Sequence, residues 1–414
     1  MGSLSRPARC RSLGDATQLH SGLTGGRGMS APAPKVYGWC PGALRPMMSG
    51  DGLVVRIRAP MGRLSPEQAG AVAELSARYG NGLLDLSARA NLQMRGIQEN
   101  DHPNLIAALQ DLGLVEADAN AEARRNILLT PFWRSGDRSH QIAQRLAALL
   151  SDATTLDLPG KFGFAVDAGE APVLQATAAD IRIEGDGDRL MLRADGADVA
   201  LEVTETEAAA QALALARWFL EQGGASEGRG RMHALISRRG APDTHGADVA
   251  KGAPLPAPGL TRNGALVALE FGQIHATTLA ALAKHGALRL TPWRMLLVED
   301  ARDITPLPDL ILGATDPRLH VSVCTGAPGC LQALSQTRDL ARDLAPHLQA
   351  GTHLHVSGCA KGCAHPRPAD VTLTATGTDR FDLIRKGRAS DAPLRSDLTA
   401  RTLRAAPHIL TKDT

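Results

Sequence analysis

The chain has 414 residues, 43% hydrophobic and 21% charged, which at roughly 100–200 residues per domain implies two or three ordinary globular domains. Its 45 Lys and Arg nearly balance 43 Asp and Glu, and aromatics make up only 3%, so neither a nucleic-acid coat nor a base-stacking platform is expected. No apolar run approaches the ~18 residues that cross a bilayer, and six cysteines in so long a chain are not a disulfide framework; the reading is a cytoplasmic protein without membrane or nucleic-acid partners.

Residues 1–34 are rich in Ser, Gly and Pro, lack apolar periodicity and offer no signal-peptide core. Residues 1–35 are therefore expected to be a disordered extension, with Met29 a candidate true start. Leu53 to Ala59 reads as a strand bounded by Gly52 and Pro60. Ser65-Pro66-Glu67-Gln68 has the form of a helix start: Ser at the N-cap, Pro in the first turn, Gln at the capping-box position. Ala69, Val72, Ala73 and Leu75 continue it, and Gly80 and Gly82 end it. Leu83–Leu86 is a second strand leading into a polar turn, and His102–Leu112 a short helix. Strand, helix, strand, helix over so short a span is a small α+β unit.

The unit recurs. Ala265–Glu270 is a strand, Ala276–Lys284 a helix, and Leu288–Arg294 repeats the strand-then-turn form of Leu84–Arg89. The alternating hairpin from Ala179 to Arg193 is echoed from Ala369 to Ile384, each ahead of a helical segment. Echoes about 190–205 residues apart describe a two-copy pseudo-repeat rather than a solenoid. The Gly/Pro/Arg-rich stretch 223–261 reads as the link between copies.

Four cysteines fall close together in the second copy, Cys324-Thr-Gly-Ala-Pro-Gly-Cys330 and Cys359-Ala-Lys-Gly-Cys363. Structural zinc favours C-x2–4-C pairs, whereas a [4Fe–4S] cube takes four thiolates at wider spacings. Gly326, Pro328, Gly329, Gly358 and Gly362 make side-chain-poor loops able to approach sulfide closely. Cys330 is read as opening a helix through Leu331, Leu334, Leu340, Leu344 and Leu348, whose N-terminus would favour an anion. Four ordinary thiols or a zinc site are the weaker alternatives.

These paired cysteine motifs, with the duplicated units and the segments around Arg89, Arg125 and Lys161, resemble the sulfite/nitrite reductase superfamily. Within it, Gly38 to Pro46, Leu290-Thr-Pro-Trp-Arg294 and Ser357 to Pro366 are similar to the precorrin-3B synthase family. The resemblance implies an α/β (α+β) fold with pseudo-twofold symmetry. It would comprise a ferredoxin-like half-repeat at 36–115, a first α/β domain without cluster at 116–225, a linker at 226–260, a second half-repeat at 261–318, and a [4Fe–4S]-binding α/β domain at 319–414.

The resemblance further implies an oxygen-dependent monooxygenase converting precorrin-3A to precorrin-3B in cobalamin biosynthesis. A mononuclear non-haem iron is implied as well, with NAD(P)H as the indirect electron source through an electron-donor protein. The alternatives are a sirohaem-dependent sulfite or nitrite reductase and, in another class, an iron–sulfur electron carrier or tetrapyrrole-binding protein. In the reductases two arginines and two lysines clamp the anion; here Arg89, Arg125 and Lys161 match three of these, and Gly163 stands at the fourth. Losing a cation weakens charge stabilisation, and Gly163 is expected to open space for a larger substrate. A precorrin has a rim of carboxylates, for which arginine is the bidentate partner. Substrate-binding candidates are Arg45, Arg89, Arg125, Lys161, Arg294, Lys361 and His365, with Arg95 and Arg367 also considered. His233, His275, His353, His355 and His365 show no facial-triad spacing, which leaves the iron ligands and the catalytic residues open.

Overall fold

The computed structural model describes residues 42–116, 118–242 and 246–411; the expected extension at 1–35 lies outside these, as do Cys10, Cys40 and the first four residues of the Gly38–Pro46 motif. The first half-repeat runs β1 (Met47–Ser49), β2 (Gly52–Ile57), β3 (Arg63–Leu64), α1 (Pro66–Tyr79), β4 (Leu83–Leu86), β5 (Leu92–Ile97) and α2 (His102–Asp111). The capping box at the start of α1 is present in full: the Ser65 hydroxyl accepts from Gln68 N at 3.1 Å, and Gln68 Oε1 accepts from Ser65 N at 3.0 Å. Two further elements, α3 (Ala119–Arg124) and β6 (Ile127–Leu129), lead into an α/β layer. It is built from α4 (Arg138–Asp152), β7 (Phe164–Asp167), β8 (Ile181–Asp186), β9 (Arg189–Ala194), β10 (Val199–Glu202), α5 (Ala208–Glu221), α6 (Met232–Arg239) and β11 (Ala247–Asp248).

The second copy repeats the plan. Its half-repeat comprises β12 (Gly259–Thr261), β13 (Gly264–Leu269), β14 (Gln273–His275), α7 (Ala276–Ala283), β15 (Leu288–Leu290), β16 (Met295–Glu299) and β17 (Leu310–Ile311). Its α/β layer comprises β18 (Val321–Val323), α8 (Arg338–Leu344), β19 (Leu354–Ser357), β20 (Ala369–Gly377), β21 (Arg380–Gly387), β22 (Arg395–Thr399) and α9 (Ala400–Ala405).

The two half-repeats exchange strands. The first sheet is ordered β1-β2-β5-β4-β14 and the second β12-β13-β16-β15-β3, so each takes its last strand from the other copy. The exchange starts from matching tight turns, in which Met61 (φ 53°) and Phe271 (φ 54°) take left-handed backbone just before β3 and β14. Helices α1 and α7 pack together, and one apolar core runs through both halves, including Val55, Leu84 and Met94 from the first and Val267, Leu288 and Leu296 from the second. The two α/β layers also match. In both β6-β7-β8-β9-β10 and β18-β19-β20-β21-β22 the first three strands are parallel and the last two antiparallel. Leu129 before Thr130 in one layer thus corresponds to Val323 before Cys324 in the other.

Two expectations are corrected. The stretch 226–260 is more than a connector, because α6 buries Met232, Leu235 and Ile236 in the core of the first layer and β11 pairs with β10. Cys330 does not open a helix. Residues 331–337 are turns and α8 begins at Arg338, because backbone groups that a helix would need are committed across loops: Leu334 N donates to Gly358 O at 2.8 Å, and Ser335 O accepts from Ala327 N at 2.9 Å. Leu331 points outward, 62% exposed.

Candidate active site

Arg89 and Arg125 come together. The turn after β4 is closed by Ser87 N donating to Asn91 O at 2.9 Å, with Ala90 at φ 52°, and Arg125 ends α3. Both line a small surface cleft with Arg58, Asn91, Asn126 and Leu290. Arg58, which the sequence pattern marks only as a strand residue, donates to the Glu122 carbonyl. The Glu122 carboxylate is buried and accepts from Ala43 N at 3.0 Å, tying the end of the Gly38–Pro46 motif to the helix that carries Arg125. Arg125 is ion-paired with Glu116.

Lys161 is exposed on the turn before β7. Its loop abuts the cleft through Asn126, whose Nδ2 donates to Phe162 O at 2.8 Å. Gly163 does not open space there. A Cβ at that position would lie 2.6 Å from Asn126 Nδ2 and 3.2 Å from Asn126 O, so the glycine serves close packing. Its N–H donates to Asp180 Oδ2 at 3.0 Å, while Asp180 Oδ1 accepts from Met232 N and Arg231 Nε, each at 2.8 Å.

The four cysteines sit on two interlocked loops. Cys324 is the residue after β18, and Gly358 and Cys359 follow β19 on the adjacent parallel strand. Gly358 N donates to Cys324 Sγ at 3.0 Å, and a Cβ on Gly358 would press to 3.3 Å from that sulfur and 2.8 Å from Ala333 Cβ. All four thiols are free, with Cys363 the exposed one. Burial, the larger cause, pushes the Cys324 and Cys363 thiols up, and both interact electrostatically with neighbouring cysteines. A single zinc ion would need its sulfurs about 2.3 Å from one point. Among the described residues no three His, Cys, Asp or Glu side chains converge that way. Glycine-lined loops, a backbone donor on the Cys324 sulfur and cysteines near enough to interact electrostatically are compatible with a sulfur-ligated iron cluster.

Each loop is gripped from a half-repeat. Arg95 Nη2 donates to Gly329 O at 2.6 Å in the first cysteine loop and is fixed by Asp51 (2.8 Å) and Asp85 (3.0 Å); it is a loop clamp rather than a free substrate contact. Arg294 Nη2 donates to Ala364 O at 3.3 Å, beyond the second loop. The matching pair in the second half has reversed charges: Arg289 on β15 meets Glu299 on β16 at 2.5 Å and donates to the carbonyls of Pro131 and Trp133, in the loop that corresponds to Cys324–Cys330.

Comparison with known proteins agrees with this architecture. Residues 45–112 match the nitrite/sulfite reductase ferredoxin-like half domain. The first copy contains that half domain. Along its length the chain is 28% identical to a precorrin-3B synthase of Sinorhizobium sp, covering 90% of this chain and 87% of that protein. It is 26% identical to a ferredoxin–nitrite reductase of Synechococcus elongatus, over 80% of this chain and 77% of that one. A solved structure of Mycobacterium tuberculosis NirA protein shares the fold with a TM-score of 0.60 at 19% identity, over 86% of this chain and 79% of that chain. The relatives are enzymes, and the nitrite reductase is an oxidoreductase.

Outside the half domain, three histidines without regular sequence spacing converge near the second cysteine loop. His353 and His355 point to one face of the β19 strand, and the His365 ring lies 4.6 Å and 5.8 Å from theirs. His355 is fully buried with neither ring nitrogen hydrogen-bonded, and burial, with His365 close by, pushes His353 and His355 down to about 4. His353 and His365 share a shallow cleft of about 770 Å³ with Arg367, Asp370 and Lys386. His233 and His275 are exposed elsewhere, His275 paired with Asp309 at 2.8 Å. Lys361 is exposed within the second cysteine loop, and Arg45 is exposed just before β1. Among the described residues no helix is long and apolar enough to cross a membrane.

Proposed function

We propose that the protein is a precorrin-3B synthase that hydroxylates the ring junction of precorrin-3A with one atom of O2 and closes a lactone from a ring-A acetate. The other oxygen atom leaves as water, with two electrons and a proton from NAD(P)H and a second proton from solvent. Cys324, Cys330, Cys359 and Cys363 would hold a [4Fe–4S] cluster. When bound, the cluster supplies one-electron transfer, fed from NAD(P)H through a donor protein. Arg58, Arg89 and Arg125 bind rim carboxylates in the cleft between α3 and the β4–β5 turn. Arg125 exchanges its Glu116 partner for a substrate carboxylate, so like charge meets like cost and the net gain comes from the bidentate fit. Asn91 and Asn126 add neutral donors, and Lys161 closes the rim from the neighbouring turn. Arg45, Arg294, Lys361 and His365 are further candidates for rim contacts.

The observation that carries this reading over a sulfite or nitrite reductase is Gly163. A reductase needs several cations converging on its small anion, and here one of those positions is a glycine packed against Asn126, where a lysine cannot fit without displacing it. Similarity to a synthase over most of both chains supports the same conclusion. Absorption of the anaerobically purified protein tests it: an iron–sulfur shoulder without sirohaem bands is expected, with iron and sulfide in cluster proportion. Sirohaem bands, or stoichiometric zinc without sulfide, would refute it.

A further inference from the structure

The surroundings of the first cysteine loop are over-supplied with positive charge. Arg338 opens α8, and the residue before it, Thr337, donates its hydroxyl to the Cys324 carbonyl at 3.0 Å. That bond holds Arg338 beneath the loop, near enough to the Cys324 thiol to interact with it electrostatically. The Arg338 side chain is only 18% exposed, and its Nε is buried without a hydrogen-bond partner. Its one ion pair among the described residues is a long approach to Asp85, at 3.6 Å. Asp85 is already engaged by Arg95 at 3.0 Å and by Gln273 Nε2 at 2.9 Å. Arg294 adds a guanidinium that has no ion pair among the described residues and lies close enough to Arg338 to repel it. Arg95, Arg294 and Arg338 thus all lean on Asp85, since Asp51 is taken by Arg95 and the further carboxylate that Arg338 feels, Glu270, is already paired with Arg318 and Arg342.

Buried charge is expensive unless compensated. Burial, the largest cause, holds Arg294 and Arg338 below the ordinary guanidinium range. Four cysteine thiolates around an iron–sulfur cube carry net negative charge, and net charge and hydrogen bonding set the potential of such clusters.

We propose that Arg338 is a positioning residue that compensates the charge of the cysteine-bound cluster and raises its reduction potential, with Asp85 as the opposing weight. This rests on the cluster reading above. One electron passes from a reduced mediator to the cluster, with no bond made or broken; a nearby cation favours the more negative, reduced form.

The test is a potentiometric titration followed by EPR on the anaerobically prepared full chain. Arg338→Gln should lower the reduced-to-oxidised ratio at a fixed potential about tenfold, ~59 mV for one electron. Asp85→Asn should shift it the opposite way, and Arg338→Lys should stay near wild type. Arg217→Gln, on α5 in the other layer, should leave the potential unchanged. Opposite shifts from the two charge removals are something a packing defect would not produce, and where one variant loses the cluster the sign of the shift in the other decides: downward for Arg338→Gln, upward for Asp85→Asn. An intact cluster with an unmoved potential in Arg338→Gln, or same-direction shifts in both variants, overturns the assignment alone. A wild-type chain that takes up no cluster overturns the underlying reading and this assignment with it.

Discussion

Asp167 occupies, in the first α/β layer, the place that Ser357 has beside the cysteines in the second. It is 2% exposed, and one carboxylate oxygen accepts from Val173 N at 2.6 Å and Leu174 N at 2.9 Å. The Thr130 hydroxyl, at the position matching Cys324, also bonds it. Burial outweighs these bonds and raises its pKa to about 6, against about 3.9 in an unfolded chain. With the folded value raised, the native state binds the proton more tightly. The stabilisation is therefore complete below about pH 4 and is lost as pH rises through about 6. A gap of about two units amounts to ~3 kcal/mol, about half of it lost above pH 5. Asp167→Asn keeps an acceptor for both N–H groups but removes the titration. Urea unfolding of both proteins from about pH 5 to 7.5 should show the variant gaining ~1.4 kcal/mol on the wild type as pH rises. A stability difference that stays flat with pH would refute the assignment of a buried, proton-retaining carboxyl.

Three further outcomes are expected. Arg289→Met should cost ~1–3 kcal/mol, because Glu299 keeps its Arg63 partner while the Pro131 and Trp133 carbonyls lose their donor; chemical denaturation reads it, and a variant as stable as the wild type would contradict it. Gly163→Lys should destabilise by ~1–3 kcal/mol through the clash with Asn126 without producing sulfite or nitrite reduction; a stable variant that reduces either anion would contradict the site assignment. Arg125→Gln should weaken binding of a tetrapyrrole carboxylate ligand roughly tenfold or more, measured by fluorescence quenching, with cluster content unchanged.

Much of the fold was legible because it was written locally. The strand Leu83–Leu86 and the Ser65–Gln68 capping box are short-range patterns, and the echoed hairpins show period-two alternation. The strand exchange was not legible, since β3 has two residues and β14 three, too few for any pattern to register. The leucine spacing after Cys330 suggested a helix, but tertiary hydrogen bonds between the cysteine loops claimed that backbone. At the site, Arg89 and Arg125 could be matched by motif, whereas Arg58 depends on Glu122, far away in sequence. The charge-reversed pairs Asp85–Arg95 and Arg289–Glu299 could have been found by aligning the two copies, which places a carboxylate opposite a guanidinium at both positions. Gly163 stands out in the sequence as a missing lysine, but its tight packing against Asn126 is visible only in three dimensions.

Oxygen uptake with precorrin-3A, measured on cluster-replete protein with NAD(P)H and a generic electron-donor system, separates a synthase from a reductase. Substrate-dependent oxygen consumption is expected, with one oxygen atom incorporated into a lactone product. Absence of uptake by protein that carries a full cluster, together with turnover of nitrite or sulfite under the same electron supply, would contradict the synthase reading.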